Sequence, residues 1–178
     1  MNNWRERFLT QHFQGREFFK PEWCGEPTGM DLEKARRLCA EILEPVRDGW
    51  GAVLVNSGKR SAAHNASVGG AKTSDHLYLG ECAAADIHLP AGSAAMRDAF
   101  VTLASISASD RRWGQVILYL RADGDAAFIH VGLPSARHNV FDRTALPLVS
   151  TYEIIASQGK RVTALYTDGD APAYPWKG

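Results

Sequence analysis

The sequence predicts an α+β fold, a central antiparallel sheet with helices on one side. Three observations carry this reading. Two stretches, residues 28–51 and 92–107, repeat apolar residues at helical spacing. Four short apolar or alternating runs read as strands. The last two of these flank "ADGDA", whose Asp-Gly pair signals a hairpin turn. The order α, β, β, α, β, β fits a sheet with segregated helices better than alternating βαβ units.

Each element has its own local reason. Residues 1–30 are irregular but carry Trp4, Phe8, Phe13, Phe18, Phe19 and Trp23, which suggests a segment wrapped over the body with its aromatics set into surface grooves. In "TGMDLEKARRLCAEILEPVRDGWG", Leu32, Ala35, Leu38, Cys39, Ile42 and Leu43 form the apolar stripe. Asp31 is the expected N-cap with Lys34 at the capping-box position, Pro45 is expected to kink the last turn, and Gly49 or Gly51 to end it. "AVLVNSG" is a strand ended by glycine. "KRSAAHNASVGGAKTS" reads as a polar, glycine-containing loop. "AAADIHLP" is a strand closed by Pro90, and "GSAAMRDAFVTLASIS" a helix with Ser93 as its expected cap. "WGQVILYLRADGDAAFIHVGLP" is a hairpin, and "STYEIIASQGKRVTALYT" a last hairpin around "SQGK".

Composition narrows the function classes. The chain has 178 residues with 20 Lys+Arg against 20 Asp+Glu. That length suits one domain over 1–178 and a substantial core. Balanced charge and the lack of a basic run with aromatics argue against a nucleic-acid partner. Cys24, Cys39 and Cys82 are odd in number and irregularly spaced, which fits small buried residues rather than a disulfide framework or a CxxC zinc site. No apolar run reaches membrane-spanning length, so no membrane insertion is expected. "MNNWRERFLTQHF" lacks the apolar core of a signal peptide, so synthesis in the cytoplasm is expected.

The chemistry is concentrated in "SDHLYLGECAAADIHLP" and "AAFIHVGLP". His76, Asp86 and His130 sit in apolar, alanine-rich surroundings. Singly, each reads as a hydrogen-bonded core or turn residue. Together they are a candidate metal set, because imidazole nitrogen and carboxylate oxygen are good zinc ligands and three protein ligands leave an open position. Neighbouring strands of one sheet can bring them together. The spacing matches neither HExxH nor a zinc finger.

The string "SGKR…N…VGGAKTSDH…G…AAADIHL…QVIL…FIHVGL" resembles the zinc D-alanyl-D-alanine carboxypeptidase and L-alanyl-D-glutamate endopeptidase family, in particular its phage endolysin-like branch. Ser74, His76, Gly80 and Asp86 match the family's first ligand motif, His130 the later one, and Ser57, Gly58 and Arg60 the upstream SG-x-R. The resemblance covers roughly residues 15–135 and leaves 136–178 as a C-terminal extension. It implies a hedgehog-like α+β fold, zinc (Zn2+) held by His76, Asp86 and His130, and hydrolysis of amide bonds in peptidoglycan stem peptides. It also implies release to the cell wall by lysis or carriage on a phage particle.

On this resemblance Arg60 pairs with a substrate carboxylate or a developing oxyanion; otherwise it is a solvated surface arginine. Ser74 donates to substrate, or is a loop or cap residue. His88 shares a strand face with Asp86 and reads as an ordinary strand histidine or a residue behind the ligands, while His64 and His138 read as loop residues. Two departures stand out. The His76-to-Asp86 segment is three residues longer than the family's, so its loop must bulge. The family's general-base glutamate is replaced by Tyr119 or, counting back from His130, by Ala127. Asp123 and Asp125 are the nearest carboxylates and the remaining candidates for a catalytic base, although both are turn formers in "ADGDA". The alternative function is therefore a weakly active or inactive relative, serving as a binding or virion structural module.

Overall fold

Alternation along three strands decides which face of the sheet is core and which carries chemistry. The computed structural model describes residues 3–109, 115–121, 125–133, 150–155 and 161–166. Its main sheet has four antiparallel strands in the order β1-β2-β4-β3: β1 Leu54–Ser57, β2 Ala84–His88, β3 Val116–Leu120 and β4 Ala126–Gly132. Ala85 and Ile87, Ile129 and Val131, and Val116 and Leu118 all point into the hydrophobic core. The residues between them point the other way, as the two-residue repeat of a strand demands. The α+β class and the antiparallel sheet are as the sequence predicts.

Helices close the core face. The short helices α1 (Gly15–Phe18) and α2 (Pro21–Cys24) precede α3 (Gly29–Leu38), a π-helical turn (Cys39–Leu43) and α4 (Glu44–Trp50). After β1 comes α5 (Ala62–Ser67), then a 3-10 turn (Asp75–Leu77); α6 (Ser93–Ser109) follows β2. Strands β5 (Ser150–Ile155) and β6 (Arg161–Tyr166) pair antiparallel in a second sheet, as the sequence suggests, with the "SQGK" turn outside the described residues.

Several local expectations need correction. The cap of α3 is Thr28, not Asp31: Thr28 Oγ1 accepts from the Asp31 amide, and Asp31 Oδ2 accepts from the Thr28 amide at 2.8 Å. Aspartate thus plays the part usually taken by glutamate in a capping box. Ahead of Pro45 the helix widens into the π turn, where the Glu44 amide bonds to Cys39 O; the missing proline N–H is absorbed there. Ser93 is the first residue of α6 rather than its cap, and its hydroxyl accepts from the Ala126 amide at 2.9 Å, fastening α6 to β4. The supposed loop 59–74 contains α5, capped by Ser61. The N-terminal aromatics do more than fill surface grooves. Phe13, Phe18 and Phe19 are fully buried, and at about 1.5–3 kcal/mol each they make this segment part of the core, while Phe8 stays exposed.

Candidate functional site

One row of residues crosses the sheet on the face opposite the hydrophobic core. Ser57 on β1 pairs with Asp86 on β2, Asp86 with His130 on β4, and His130 with Ile117 on β3. A bulge puts Ser57 in that row. Val55 pairs with Ile87 and packs on the core, and the extra residue, Asn56, turns Ser57 to the opposite face. His76 reaches the same place from the 3-10 turn. Ser74 caps that turn by accepting from the His76 amide, and Tyr78 ends it in a left-handed conformation at φ 55°. Tyr78 is held there by the buried Lys34 ammonium, which donates to its carbonyl at 2.7 Å.

Three donor atoms converge. His76 Nε2 lies 3.1 Å from Asp86 Oδ1 and 3.2 Å from His130 Nδ1, and the latter two are 2.9 Å apart. His76 Nδ1 must donate to Gly58 O at 2.7 Å, since a carbonyl only accepts. Nε2 of the neutral ring is therefore a bare lone pair. Burial pushes the His76 imidazole below its ordinary value, against the pull of Asp86. Burial alone would raise Asp86, but the two imidazoles hold its carboxyl well below the usual carboxylate range. Lone pairs and a carboxylate oxygen thus face one another with at most one hydrogen, on His130 Nδ1, to share. A cation resolves that arrangement. The separations approach the roughly 3.3 Å edge of a tetrahedral site with metal bonds of about 2.0–2.1 Å. Among the described residues this is the group able to hold a metal ion.

The triangle forms the floor of a cavity of about 570 Å³. Arg60 lines it and is anchored twice: Nη2 donates to Asp86 Oδ2 at 2.6 Å and Nε to Ser57 Oγ at 2.9 Å. The guanidinium therefore fixes the carboxylate oxygen that does not face the histidines, in the manner of groups that orient metal ligands. Arg60 is not a solvated surface residue. Gly58 serves the same corner. A Cβ there would stand 2.5 Å from Phe18 O and 2.6 Å from Phe18 Cα, so glycine is what lets β1 pass the backbone of α1.

A family model described as peptidase M15 matches residues 11–131. The chain belongs to the peptidase M15 family. The matched span lies four residues N-terminal, at each end, to the span the motifs suggested. No curated protein and no solved structure matched the chain. M15 membership implies metal-dependent peptidase activity, and the buried His76, Asp86 and His130 fit that chemistry.

The other expected residues of this M15 chain are placed unevenly. Ser74 lines the cavity. Of the two alternatives for the missing glutamate, Tyr119 faces the cavity, its ring stacked on Phe128 at 4.2 Å. Ala127 is instead the extra residue of a bulge between Tyr119 and Leu120, and its carbonyl accepts from the His88 ring. Asp125 is exposed and does not line the cavity. It lies five positions along the chain from His130, roughly 16 Å at the rise of a strand, so the strand does not bring it beside the triangle. Asp123 and His138 lie outside the described residues. One residue read as loop belongs here: His64 lies on α5, lines the cavity and stacks on Trp23 with centroids 5.0 Å apart. Its signal was faint, a serine cap three residues before it in a stretch dominated by glycine and polar residues.

Proposed function

We propose that this protein is a zinc peptidase that hydrolyses an amide bond in peptidoglycan stem peptides, of the D-Ala-D-Ala carboxypeptidase or L-Ala-D-Glu endopeptidase type. The observation that carries the reading is the donor triangle of His76, Asp86 and His130 on the floor of an open cavity. Two imidazoles and one carboxylate form a donor set suited to zinc, with room left for substrate. Zinc bound there would polarise the scissile carbonyl and acidify water.

The chain's own residues supply the rest. Arg60 uses Nε and one Nη2 hydrogen for anchoring; its remaining N–H groups are left to meet a substrate carboxylate or a developing oxyanion. The Ser74 hydroxyl accepts from the backbone and keeps its hydrogen to donate to substrate. Gly69, Gly70 and Ala71 give the cavity a wall with little side-chain bulk, which suits a peptide with small side chains. A peptidoglycan substrate puts its action at the cell wall, reached by lysis or on a phage particle; separately, no helix among the described residues is long and apolar enough to cross a membrane.

The test is to load the protein with zinc, incubate it with purified muropeptides and with D-Ala-D-Ala and L-Ala-D-Glu peptides, and read products by mass spectrometry. Loss of terminal D-alanine identifies a carboxypeptidase, and a cut before D-glutamate an endopeptidase. Tyr119 in place of the family's glutamate favours the second reading, a binding or virion structural module. Stem-peptide binding without any cleavage by the zinc-loaded protein would establish that reading instead.

A further inference from the structure

We propose that His64 takes the proton from the attacking water and returns it to the leaving amine, so that hydrolysis at this site runs without a glutamate base. The proposal rests on the peptidase reading above.

The cavity itself narrows the choice. Among the described residues that line it, the carboxylates are Asp75 and Asp86. Asp86 is committed to the two histidines and Arg60. Asp75 is buried beside β4, where its Oδ2 would lie 3.7 Å from a Cβ on Gly132. Tyr119 offers a phenol rather than a carboxylate, its ring stacked on Phe128. His76 and His130 belong to the donor triangle. The remaining imidazole on the wall is His64, and an imidazole ring nitrogen can accept a proton and hand it on.

Its surroundings suit the task. The Ser61 hydroxyl accepts from the His64 amide, and the Ser61 amide donates to Trp23 O at 2.8 Å, tying α5 to α2. The His64 ring lies on Trp23 at an interplanar angle of 11°. The Lys20 ammonium sits 4.0 Å from the centroid of the Trp23 ring and donates to Asn56 O at 3.0 Å. Stacking therefore sets the ring's orientation, and among the described residues neither ring nitrogen takes a hydrogen bond. One face is used for packing on Trp23, in a residue that lines the cavity. The charged and titratable groups around it are Lys20 behind Trp23, Arg60 on the preceding segment, and Asp75, His76, Asp86 and His130 across the cavity.

The step balances without a further reactant. A water O–H bond breaks, its oxygen bonds to the scissile carbonyl carbon, and the proton stays on His64 as imidazolium. When the C–N bond breaks, the amine nitrogen takes that proton and His64 is neutral again.

The experiment compares wild type, His64→Gln, His64→Ala and Tyr119→Phe, all zinc-loaded, on the peptide the wild type cleaves. We expect kcat to fall about 100-fold or more in both His64 variants, with KM and zinc content unchanged and partial recovery of His64→Ala when a small exogenous base such as imidazole is added. His64→Gln within threefold of wild type overturns the proposal, as does activity lost in Tyr119→Phe and kept in His64→Gln. A zinc-loaded wild type that cleaves nothing defeats the peptidase reading itself and this proposal with it, a result distinct from a wild type and a His64→Gln that cleave equally.

Discussion

Asp86 and His130 are direct partners in the pairing of β2 with β4, and their Oδ1 and Nδ1 atoms stand 2.9 Å apart. The sheet therefore sets two of the three candidate metal donors before any metal arrives. The third, His76, comes from a short turn and is steadied by Gly58 O and by Ser74. Metal binding should accordingly tighten the turn far more than the strands.

The protein is expected to bind about one zinc per chain, and His76→Ala or Asp86→Asn to lose most of that affinity. Metal analysis and calorimetric titration measure it. At a zinc concentration 1,000 times the Kd, binding adds about 4 kcal/mol of stability, so melting temperature should rise with zinc in the wild type and hardly in the variants. Hydrogen exchange on chelation should quicken first around Asp75–Leu77. Unchanged zinc stoichiometry in His76→Ala would move the site elsewhere.

Arg60→Lys should weaken the metal site as well as turnover. An ammonium is a single point charge and cannot hold Ser57 Oγ and Asp86 Oδ2 in the fixed fork that the guanidinium supplies. Groups that orient metal ligands are commonly worth 10–100-fold in metal affinity, and a loss of about that size is expected in competition with a coloured chelator. Lower turnover with wild-type zinc affinity would assign Arg60 to substrate alone.

What could be read beforehand follows the physics of each segment. The alternation in "AAADIHL" and "FIHVG" survives folding, because a strand with one core face must keep its period of two, and so Asp86 and His130 could be placed. The Ser57 bulge could not, since one inserted residue leaves no mark on composition yet reverses a strand's faces. Thr28 gives only a weak cap signal in the sequence because aspartate, not glutamate, stands at the third helical position. His64 was hidden because α5 is only six residues long, too short to show a helical stripe, and its helix is held by a cap and by Trp23 rather than by propensity. Asp125 looked near His130 in sequence, but strand geometry carries it away.

Gly58→Ala should destabilise the protein and its metal site together. The added methyl would meet the Phe18 backbone, which cannot swing aside like a side chain. Overpacking of this kind typically costs about 1–3 kcal/mol, and here it also displaces the carbonyl that orients His76. Urea denaturation with zinc titration measures both. Wild-type stability would show that α1 yields at no cost.

Stability should fall in acid through the Asp31–Lys59 pair. Burial would raise Asp31, but hydrogen bonds from Lys59, at 2.6 Å, and from Thr28 hold its carboxyl below the usual range. A depressed folded-state pKa means that the stabilisation is fully present above the unfolded value of 3.8 and is lost as pH falls through the folded one. Asp31→Asn should thus be less stable than wild type at pH 7 and converge with it in strongly acidic solution. A constant gap down to the lowest pH would show that only the cap matters.

The last prediction uses Tyr119, a cavity-lining position and one of the two where the motif resemblance expects glutamate. Tyr119→Glu puts a carboxylate on β3 two residues from Ile117, which pairs with His130. The side chain shares that face of the sheet, so the new group points into the cavity and not into the core. The change removes the stack on Phe128, at a cost of about 0.5–1.5 kcal/mol beyond the buried area, which a folded domain of this size should tolerate. If the zinc and its substrate groove are intact and proton transfer limits the rate, Tyr119→Glu should raise kcat by about tenfold or more, with KM little changed. It should also restore cleavage to His64→Gln, because a second group then accepts the water's proton. Asp125→Asn serves as the control and should match wild type, since Asp125 is exposed and outside the cavity. Steady-state kinetics on one defined stem peptide measure all five proteins: wild type, Tyr119→Glu, His64→Gln, the double variant and Asp125→Asn. No gain in either background, with zinc still bound, would mean that proton transfer does not limit hydrolysis by this chain. Attention would then pass to substrate binding along the Gly69–Ala71 wall.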